Sequence, residues 1–357
     1  MVQPCIVTDT VKLRHNLEYL SKKLQKNGIA IAAVTKVFSA HPKLVSIYNE
    51  IEEIAFLADS RITNLKSYPN NLTKEKMLLR IPMLSEAEEV VRFADISLNS
   101  EIETIRRLDQ KASELGKVHQ IILMLDLGDL REGIFSSSQL MEYIEEILKM
   151  EAVSLVGLGV NLTCYGAIIP EPVTLQKLVD YKQEVKKRFS YDLKLISGGN
   201  SSSLYLLDQA EGIPEGINLL RIGEAFVLGV ETAFGRRIAE MYQNVFTLKA
   251  EIIEYKDKPS LPIGNSGQDA FGEKPVFEDK GEMRRGILAI GRQDISHQNM
   301  IPRDSRLQII GSSSDHTIID FTNAKEDYQI GGMVEFDVTY GGLLSCFTSQ
   351  YVDKKFI

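Results

Sequence analysis

The chain has 357 residues, of which 44% are hydrophobic and 25% charged, and this composition is ordinary for a globular protein with a sizeable core. The net charge of −8 argues against a nucleic-acid partner or an anionic membrane surface, and no apolar run approaches the roughly 20 residues that a membrane span needs. The first residues lack the basic start and apolar core of a signal peptide, so we expect a cytoplasmic protein that binds neither nucleic acid nor membranes.

Segments with strand and helix patterns alternate along residues 9–235. The predicted helices carry apolar stripes, of which Leu13, Leu17, Leu20 and Leu24 form the first. Short apolar runs between the helices are predicted as buried parallel strands: 29–35, 54–58, 77–81, 95–98, 121–125, 155–160, 193–196 and 217–222. Eight such strands alternating with helices predict an α/β fold, the (β/α)8 TIM barrel.

The pattern changes after residue 235. Helical stripes give way to short β-type runs separated by glycine and proline turns, at 246–253, 286–290, 307–310, 317–321 and 333–338. The polar stretch 256–281 is predicted as a loop. We therefore predict two domains, a barrel over residues 1–235 and a C-terminal antiparallel β domain over residues 236–357.

Lys36 follows directly on the first predicted barrel strand. A lysine at the carboxyl end of a buried strand is partly desolvated, which makes its amine available for Schiff-base chemistry. A lysine that merely ends the strand and extends its amine into water would have the same local sequence. The other residues at strand ends therefore decide between these two interpretations.

Polar residues also follow other predicted strands, at the barrel end where enzymes of this fold place their chemistry. The seventh strand leads into Gly198-Gly199-Asn200-Ser201, a turn that could bind phosphate, although an ordinary helix cap has a similar composition. The remaining candidates are Arg131 after the fifth strand, Asn161 after the sixth, and Arg221 and Gly223 with the eighth. A lysine, an arginine and a phosphate-binding turn on one rim imply pyridoxal 5'-phosphate as cofactor.

The cysteines and histidines form no metal-binding pattern. Cys5, Cys164 and Cys346 lie far apart without a CxxC pair, and the five histidines are scattered. We therefore expect reduced thiols and no metal site. Cys164 follows the sixth strand and is interpreted as a buried structural cysteine, with a position facing the cofactor as the alternative.

Short motifs occur in a defined order along both predicted domains, at residues 34–36, 127–133, 199–201, 220–223, 290–294, 313–316 and 339–344. In this order and spacing they resemble the motifs of the fold-type III pyridoxal phosphate enzymes. The chain is most similar to the alanine racemase family and, within it, to the alanine/ornithine racemase branch.

The resemblance implies a role for each matching residue. Lys36 would hold the cofactor as an internal aldimine and act as acid and base on one face of the substrate Cα. Arg221 would meet the pyridine nitrogen, where a guanidinium cannot donate a proton and so favours racemisation over transamination. Arg131 would contact the cofactor's phenolic oxygen or the substrate carboxylate. The implied phosphate ligands are Asn200, Ser201, Gly223 and Tyr340, and Asn161 stands where the family often has a histidine beside the ring.

The chain departs from the family at the second catalytic base. Alanine racemases use a tyrosine of the partner subunit, and its counterpart here lies in Ala270-Phe271-Gly272, where phenylalanine cannot transfer a proton. The candidates for this role are His316, Asp269 and Asp315. His316 ranks first because an imidazole transfers protons near neutral pH, and a purely structural histidine is the alternative.

Asp315 is also the predicted substrate-selecting residue. It stands where alanine racemases have an apolar residue and an acid beside the substrate methyl group. A carboxylate there suits an ammonium-tipped side chain, such as that of ornithine or lysine. A structural ion pair or a turn hydrogen bond would also explain it.

The sequence therefore predicts a pyridoxal phosphate-dependent amino-acid racemase, an isomerase that interconverts the L and D forms of ornithine, another basic amino acid or alanine. The resemblance also implies a homodimer with shared active sites. A fold-type III decarboxylase of a basic amino acid and a non-catalytic pyridoxal phosphate-binding protein remain the alternatives.

Overall fold

The computed structural model describes residues 4–269, 271, 272 and 274–357. The chain divides into two compact units, one formed by Leu13–Gln243 and the other by the residues up to Lys12 together with Asn244–Ile357. Strands and helices are numbered in chain order, beginning with β1 at Cys5–Thr8 and α1 at Thr10–Lys26.

The unit Leu13–Gln243 is built around a closed barrel of parallel strands that follow one another in sequence order. The barrel strands are β2 (Ala30–Val34), β3 (Ile54–Asp59), β4 (Glu75–Leu78), β5 (Ile96–Asn99), β6 (His119–Leu125), β7 (Val153–Val160), β8 (Leu195–Asn200) and β9 (Leu219–Ile222). The first and last strands pair directly, with Ala33 opposite Ile222, and this pairing closes the barrel. The predicted (β/α)8 barrel is confirmed.

One hydrophobic cluster is formed by alternate residues of the barrel strands, because successive side chains of a strand point to opposite faces. Most residues between them are also apolar, with Ser97 as an exception, which explains why the strands read as nearly continuous apolar runs. The cluster consists of Ala32, Val34, Phe56, Ala58, Met77, Ile96, Leu98, Ile122, Met124, Val156 and Leu219.

The helices of this unit each bury one face. In α5, for example, Ile105, Leu108 and Ala112 are buried at helical spacing. After α1 the helices are α2 (Pro42–Asn49), α3 (Ile62–Lys66), α4 (Ala87–Phe93), α5 (Ile102–Glu114), α6 (Ser137–Ile147), α7 (Pro172–Phe189) and α8 (Glu224–Leu228). The helix after β8 is a 3-10 helix, Ser201–Asp208. Among the described residues, no helix has both the length and the apolar character that a membrane crossing requires.

The second unit contains a largely antiparallel sheet in the order β12-β15-β10-β11-β14-β13, with β1 beside β10 and β16 beside β1. Its remaining elements are β10 (Phe246–Pro259), β11 (Glu282–Leu288), β12 (Met300–Pro302), β13 (Gln308–Ser312), β14 (Thr317–Asp320), β15 (Met333–Val338), α9 (Tyr340–Thr348) and β16 (Asp353–Phe356). The predicted antiparallel β domain after the barrel is confirmed. Among the described strands of this sheet, β1 and β16 form the one parallel pair.

Three local features differ from the sequence prediction. The segment Cys5–Thr8 pairs with β10 and β16, so the chain begins in the second unit and not in the barrel. Strand β10 extends beyond residue 253 to Pro259, because it pairs with β11 up to Glu282. The motif 339–344 begins a helix, α9, which buries Leu343, Cys346 and Phe347 at helical spacing. The predicted domain limits, residues 1–235 and 236–357, stay a prediction, which the division into two compact units does not test.

Candidate active site

Lys36 lies at the carboxyl-terminal rim of the barrel. It is half-buried and begins a short 3-10 helix, Lys36–Phe38, which is separated from the end of β2 by Thr35 alone. Thr35 precedes it and is fully buried, and its N–H donates a 2.8 Å hydrogen bond to the carbonyl of Ala58 on the neighbouring strand β3. The backbone from which the lysine side chain leaves is therefore anchored to the barrel wall.

A buried hydrogen-bond network surrounds Thr35. Its hydroxyl donates to Asp59 Oδ2 at 2.7 Å, and the hydroxyl of Tyr68 lies 2.7 Å from Thr35 Oγ1. Asp59 Oδ1 accepts a further bond from Asn64 Nδ2 at 2.9 Å. Burial raises the pKa of the Asp59 carboxyl, and the bond from Thr35 opposes this shift. The sequence analysis missed this network, although a threonine and an aspartate that end adjacent apolar strands were its signal.

Removing the hydroxyl of Thr35 is expected to destabilise the protein. In Thr35→Val the side chain keeps its shape, but Tyr68 and Asp59 each lose a buried partner, so the free energy of unfolding should fall by about 2 kcal/mol. Thr35→Ser keeps the hydroxyl and should lose less than half of that amount. Denaturant unfolding of both variants measures the difference, and equal stability of the two would contradict the role of the hydroxyl.

Arg221 occupies the interior of the barrel at the end of β9 and is buried. Its guanidinium donates to Ser197 Oγ at 2.5 Å, to the carbonyl of Val160 at 2.8 Å and to Asn161 Oδ1 at 3.2 Å. Burial lowers the pKa of this guanidinium to about 10, so it stays protonated at neutral pH. The bonds fix a cationic planar group beneath the rim.

Asn161 and Asn200 connect Arg221 to the turn after β8. Asn200 Nδ2 donates to Asn161 Oδ1 at 3.1 Å and to the carbonyl of Leu162 at 3.0 Å. Asn161 Oδ1 therefore accepts hydrogen bonds from both Asn200 and Arg221. The other polar atom of this amide, Nδ2, is buried and has no hydrogen-bond partner among the residues the structure describes. A buried donor without an acceptor at this rim is a group that a bound ligand could satisfy.

The turn after β8 meets the end of β9. Ser201 Oγ accepts hydrogen bonds from the backbone N–H groups of Gly223 at 3.4 Å and Ala225 at 3.3 Å. Gly199 has a φ of +112°, which favours glycine, and a Cβ on Gly223 would lie 3.1 Å from that of Val34. Ser202 Oγ is buried and lacks a partner within the described part of the chain. The hydroxyls of Ser201 and Ser202 are therefore the donors of this turn that suit an anion such as phosphate, because the N–H groups of Gly223 and Ala225 already donate to Ser201 Oγ.

Arg131 lies on the loop after β6 and is exposed. Its Nε and Nη2 both donate to the carboxylate of the adjacent Glu132. Burial lowers the pKa of the Arg131 guanidinium, but its hydrogen bond and charge interaction with Glu132 outweigh this effect and raise the pKa overall. A substrate carboxylate would therefore have to share this guanidinium with Glu132 or displace it.

Asp129 is a buried carboxylate that the sequence analysis did not identify. Its oxygens accept hydrogen bonds from backbone N–H groups of the loop after β7, belonging to Thr163 at 3.1 Å, Cys164 at 3.3 Å, Tyr165 at 3.0 Å and Ile168 at 3.2 Å. Burial raises the pKa of this carboxyl, yet the bonds from the backbone outweigh burial and the pKa is lowered. Asp129 therefore holds the loops after β6 and β7 together.

Cys164 is exposed, so its interpretation as a buried structural cysteine is wrong. It accepts a 3.6 Å contact at Sγ from Asn200 Nδ2, which places its thiol at the same rim. Cys5 and Cys346 are buried, and all three thiols are free. Across the described residues, no group of three or more His, Cys, Asp or Glu side chains could hold a metal ion.

The remaining predicted site residues belong to the second unit. Asp315 and His316 are exposed on the turn between β13 and β14, and Ser314 Oγ donates to Asp315 Oδ2 at 2.9 Å. A Cβ on Gly291 would lie 2.3 Å from the carbonyl oxygen of Ser314, so the motif 290–294 packs directly against this turn.

Two further predicted positions of the second unit have local hydrogen bonds. Tyr340 is the first residue of α9, which Thr339 caps by accepting a 3.2 Å bond from the N–H of Gly342. Asp269 accepts a 2.8 Å bond from the N–H of Phe271, whose ring centroid lies 4.1 Å from the guanidinium carbon of Arg292. Ala270, which belongs to the predicted counterpart of the family's Tyr-Gly pair, lies outside the described residues.

The structure thus brings six predicted residues to one barrel rim: Lys36, Asn161, Asn200, Ser201, Arg221 and Gly223. Arg131 lies on the loop after β6, and Asp129 links this loop to the loop after β7 at the same end of the barrel. This combination of a rim lysine, a buried arginine and a serine-rich turn is the arrangement expected of an enzyme of the barrel class, whose chemistry takes place at the strand ends.

Comparison with known proteins shows which family this is. A family model described as the N-terminal domain of alanine racemase matches residues 8–230. An ornithine racemase of Acetoanaerobium sticklandii is 48% identical over 99% of this chain and 99% of its own, and a lysine racemase of Thermotoga maritima is 38% identical over 99% and 98%. The chain belongs to the alanine racemase family, and the predicted isomerase class is confirmed.

Solved structures support the fold. An alanine racemase from Bartonella henselae with covalently bound pyridoxal phosphate matches all of this chain and all of its own length, with a TM-score of 0.74 and 16% identity. An alanine racemase of Clostridium difficile in complex with cycloserine covers 100% of this chain and 96% of its own, with a TM-score of 0.72 and 17% identity.

Proposed function

We propose that this racemase binds pyridoxal 5'-phosphate through Lys36 and acts on a basic amino acid, with ornithine as the first candidate, and that alanine is the second candidate substrate. The observation that carries the proposal is the gathering at one rim of Lys36, the buried Arg221 and the turn at Ser201. The ornithine and lysine racemases that match nearly the whole chain support the choice of a basic substrate.

The rim residues suit this cofactor. When bound, pyridoxal phosphate supplies a carbonyl that reacts with amines and a ring that stabilises negative charge at the substrate Cα. Ser201, Gly223 and the turn at Asn200 would hold its phosphate, with the partnerless hydroxyl of Ser202 beside them and Tyr340 as a further ligand. The partnerless amide donor of Asn161 would find its acceptor on the ring.

Arg221 would set the electronic character of the site. Its guanidinium is fixed by hydrogen bonds and remains protonated at neutral pH, so it can donate a hydrogen bond to the pyridine nitrogen without transferring a proton. A ring that stays unprotonated withdraws electrons less strongly. This favours return of a proton to Cα, the outcome that racemisation requires.

Proton transfer requires one group on each face of Cα. Lys36 would take and return the proton on one face. His316 is the first candidate for the opposite face, and Asp269 and Asp315 are the others, because Phe271 cannot transfer protons. Arg131 would bind the substrate carboxylate through its bidentate fork. We further propose a cytoplasmic homodimer whose subunits share their active sites.

Incubation of the purified protein with L-ornithine, L-lysine and L-alanine in heavy water tests the proposal. Formation of the D isomer with deuterium at Cα, fastest for ornithine, is the expected result. Release of carbon dioxide would instead identify a decarboxylase. Absence of both exchange and product, in protein that has bound the cofactor, would identify a non-catalytic binding protein.

A further inference from the structure

We propose that Glu224 is the barrel residue that binds the side-chain ammonium of a basic amino-acid substrate, an assignment that rests on the proposed function. Glu224 follows Gly223 at the end of β9 and is the first residue of α8. The sequence analysis did not identify it, although an acid placed directly after the Arg221-Ile222-Gly223 motif was a visible signal.

Glu224 lies beside Lys36 at the rim. The strands that precede these two residues, β2 and β9, are hydrogen-bonded neighbours that close the barrel, so the chain segments after them leave the sheet side by side. The charge of Lys36 acts directly on the carboxylate of Glu224. Because Lys36 must reach the substrate Cα in the proposed reaction, this carboxylate lies where the substrate side chain can extend.

The carboxylate of Glu224 is half-buried and makes no hydrogen bond or ion pair with another residue that the structure describes. Burial raises its pKa, and the positive charge of Lys36 opposes this shift. A half-buried carboxylate without hydrogen-bond donors is unfavourable, and the charge of Lys36 offsets this cost only in part, since the pKa stays raised. The side-chain ammonium of ornithine, at the end of three methylene groups, or of lysine, at the end of four, would supply a further cation.

Other carboxylates near the rim are already engaged. Glu132 binds the guanidinium of Arg131, and Asp129 accepts backbone N–H groups. Asp315, the residue predicted from the sequence for this role, is exposed and accepts a bond from Ser314. An exposed carboxylate binds an ammonium more weakly than a half-buried one, since water screens the charges. The geometry therefore favours Glu224.

The test compares ornithine with 2-aminopentanoate, which has the same carbon chain without the side-chain amine. Glu224→Gln is expected to lower the ratio of kcat/KM for ornithine to that for 2-aminopentanoate by about tenfold to a hundredfold. Glu215→Gln is the matched control, because it removes the same charge from an exposed glutamate before β9 and should leave the ratio unchanged. Calorimetric binding of both amino acids in a Lys36→Ala background repeats the comparison without turnover.

Three results would overturn the assignment. Equal losses of kcat/KM on both substrates in Glu224→Gln would show that Glu224 acts through Lys36, unchanged kcat/KM for both substrates would show that it contributes nothing, and a fall of the ratio in Asp315→Asn alone would transfer the role to Asp315. The proposed function fails on a different observation, namely that the unsubstituted protein racemises neither ornithine nor lysine.

Discussion

Replacement of Lys36 with alanine is expected to lower the rate of racemisation by at least about a thousandfold, because it removes both the covalent anchor of the cofactor and the acid–base group on one face of Cα. Chiral chromatography of the products measures this loss. The turn at Ser201, which we propose to hold the phosphate, is untouched by the substitution, so the variant should still bind pyridoxal phosphate reversibly.

A chemical label distinguishes the covalent role of Lys36 from a general effect on folding. Borohydride reduction of the cofactor-loaded protein should leave a stable mass increment on the peptide that contains Lys36, and the increment should be absent from Lys36→Ala. Lys187→Ala, at an exposed position of α7, should keep both the label and the activity. A label on another lysine, or racemisation that survives in Lys36→Ala, would contradict the proposed role.

The barrel and most of its rim were predictable because both depend on local sequence. Strands buried on two faces, such as β2 and β7, read as uninterrupted apolar runs whose ends mark the rim, and the residue after each run can be named without coordinates. Lys36 and Asn161 were found in this way, and Arg221 was found as the charged residue near the end of the last run. Their neighbours in space follow from the order of strands in a barrel.

Contacts between distant segments were not predictable in this way. Strand β1 is four residues long, and its partner β10 lies more than two hundred residues further along the chain, so no local pattern assigns it to the second unit. Asp129 resembles an ordinary turn residue in sequence, because its partners are backbone N–H groups, which every residue type except proline carries. Glu224 differs from a surface acid only through its burial beside Lys36.

Replacement of Asp129 with alanine is expected to be the most destabilising single change in the loops of the rim. It leaves four N–H groups of the loop after β7 without their acceptor, and the free energy of unfolding should fall by about 3 kcal/mol or more. Asp126→Ala is the graded comparison, because Asp126 is half-buried in the same loop and, among the described residues, accepts two backbone bonds, from Gly128 and Leu130. Its loss should be about 1 kcal/mol. Denaturant unfolding measures both.

The pH dependence of stability tests whether the charge of Asp129 is responsible. The folded-state pKa of this carboxyl lies below its ordinary value, so its contribution to stability is complete above the unfolded-state pKa of about 4 and is lost as the pH falls through the folded-state pKa. The stability difference between the unsubstituted protein and Asp129→Asn should therefore be constant from about pH 5 to 8 and should narrow below about pH 4. A difference that does not change with pH would mean that the shape of the side chain, and not its charge, holds the two loops together.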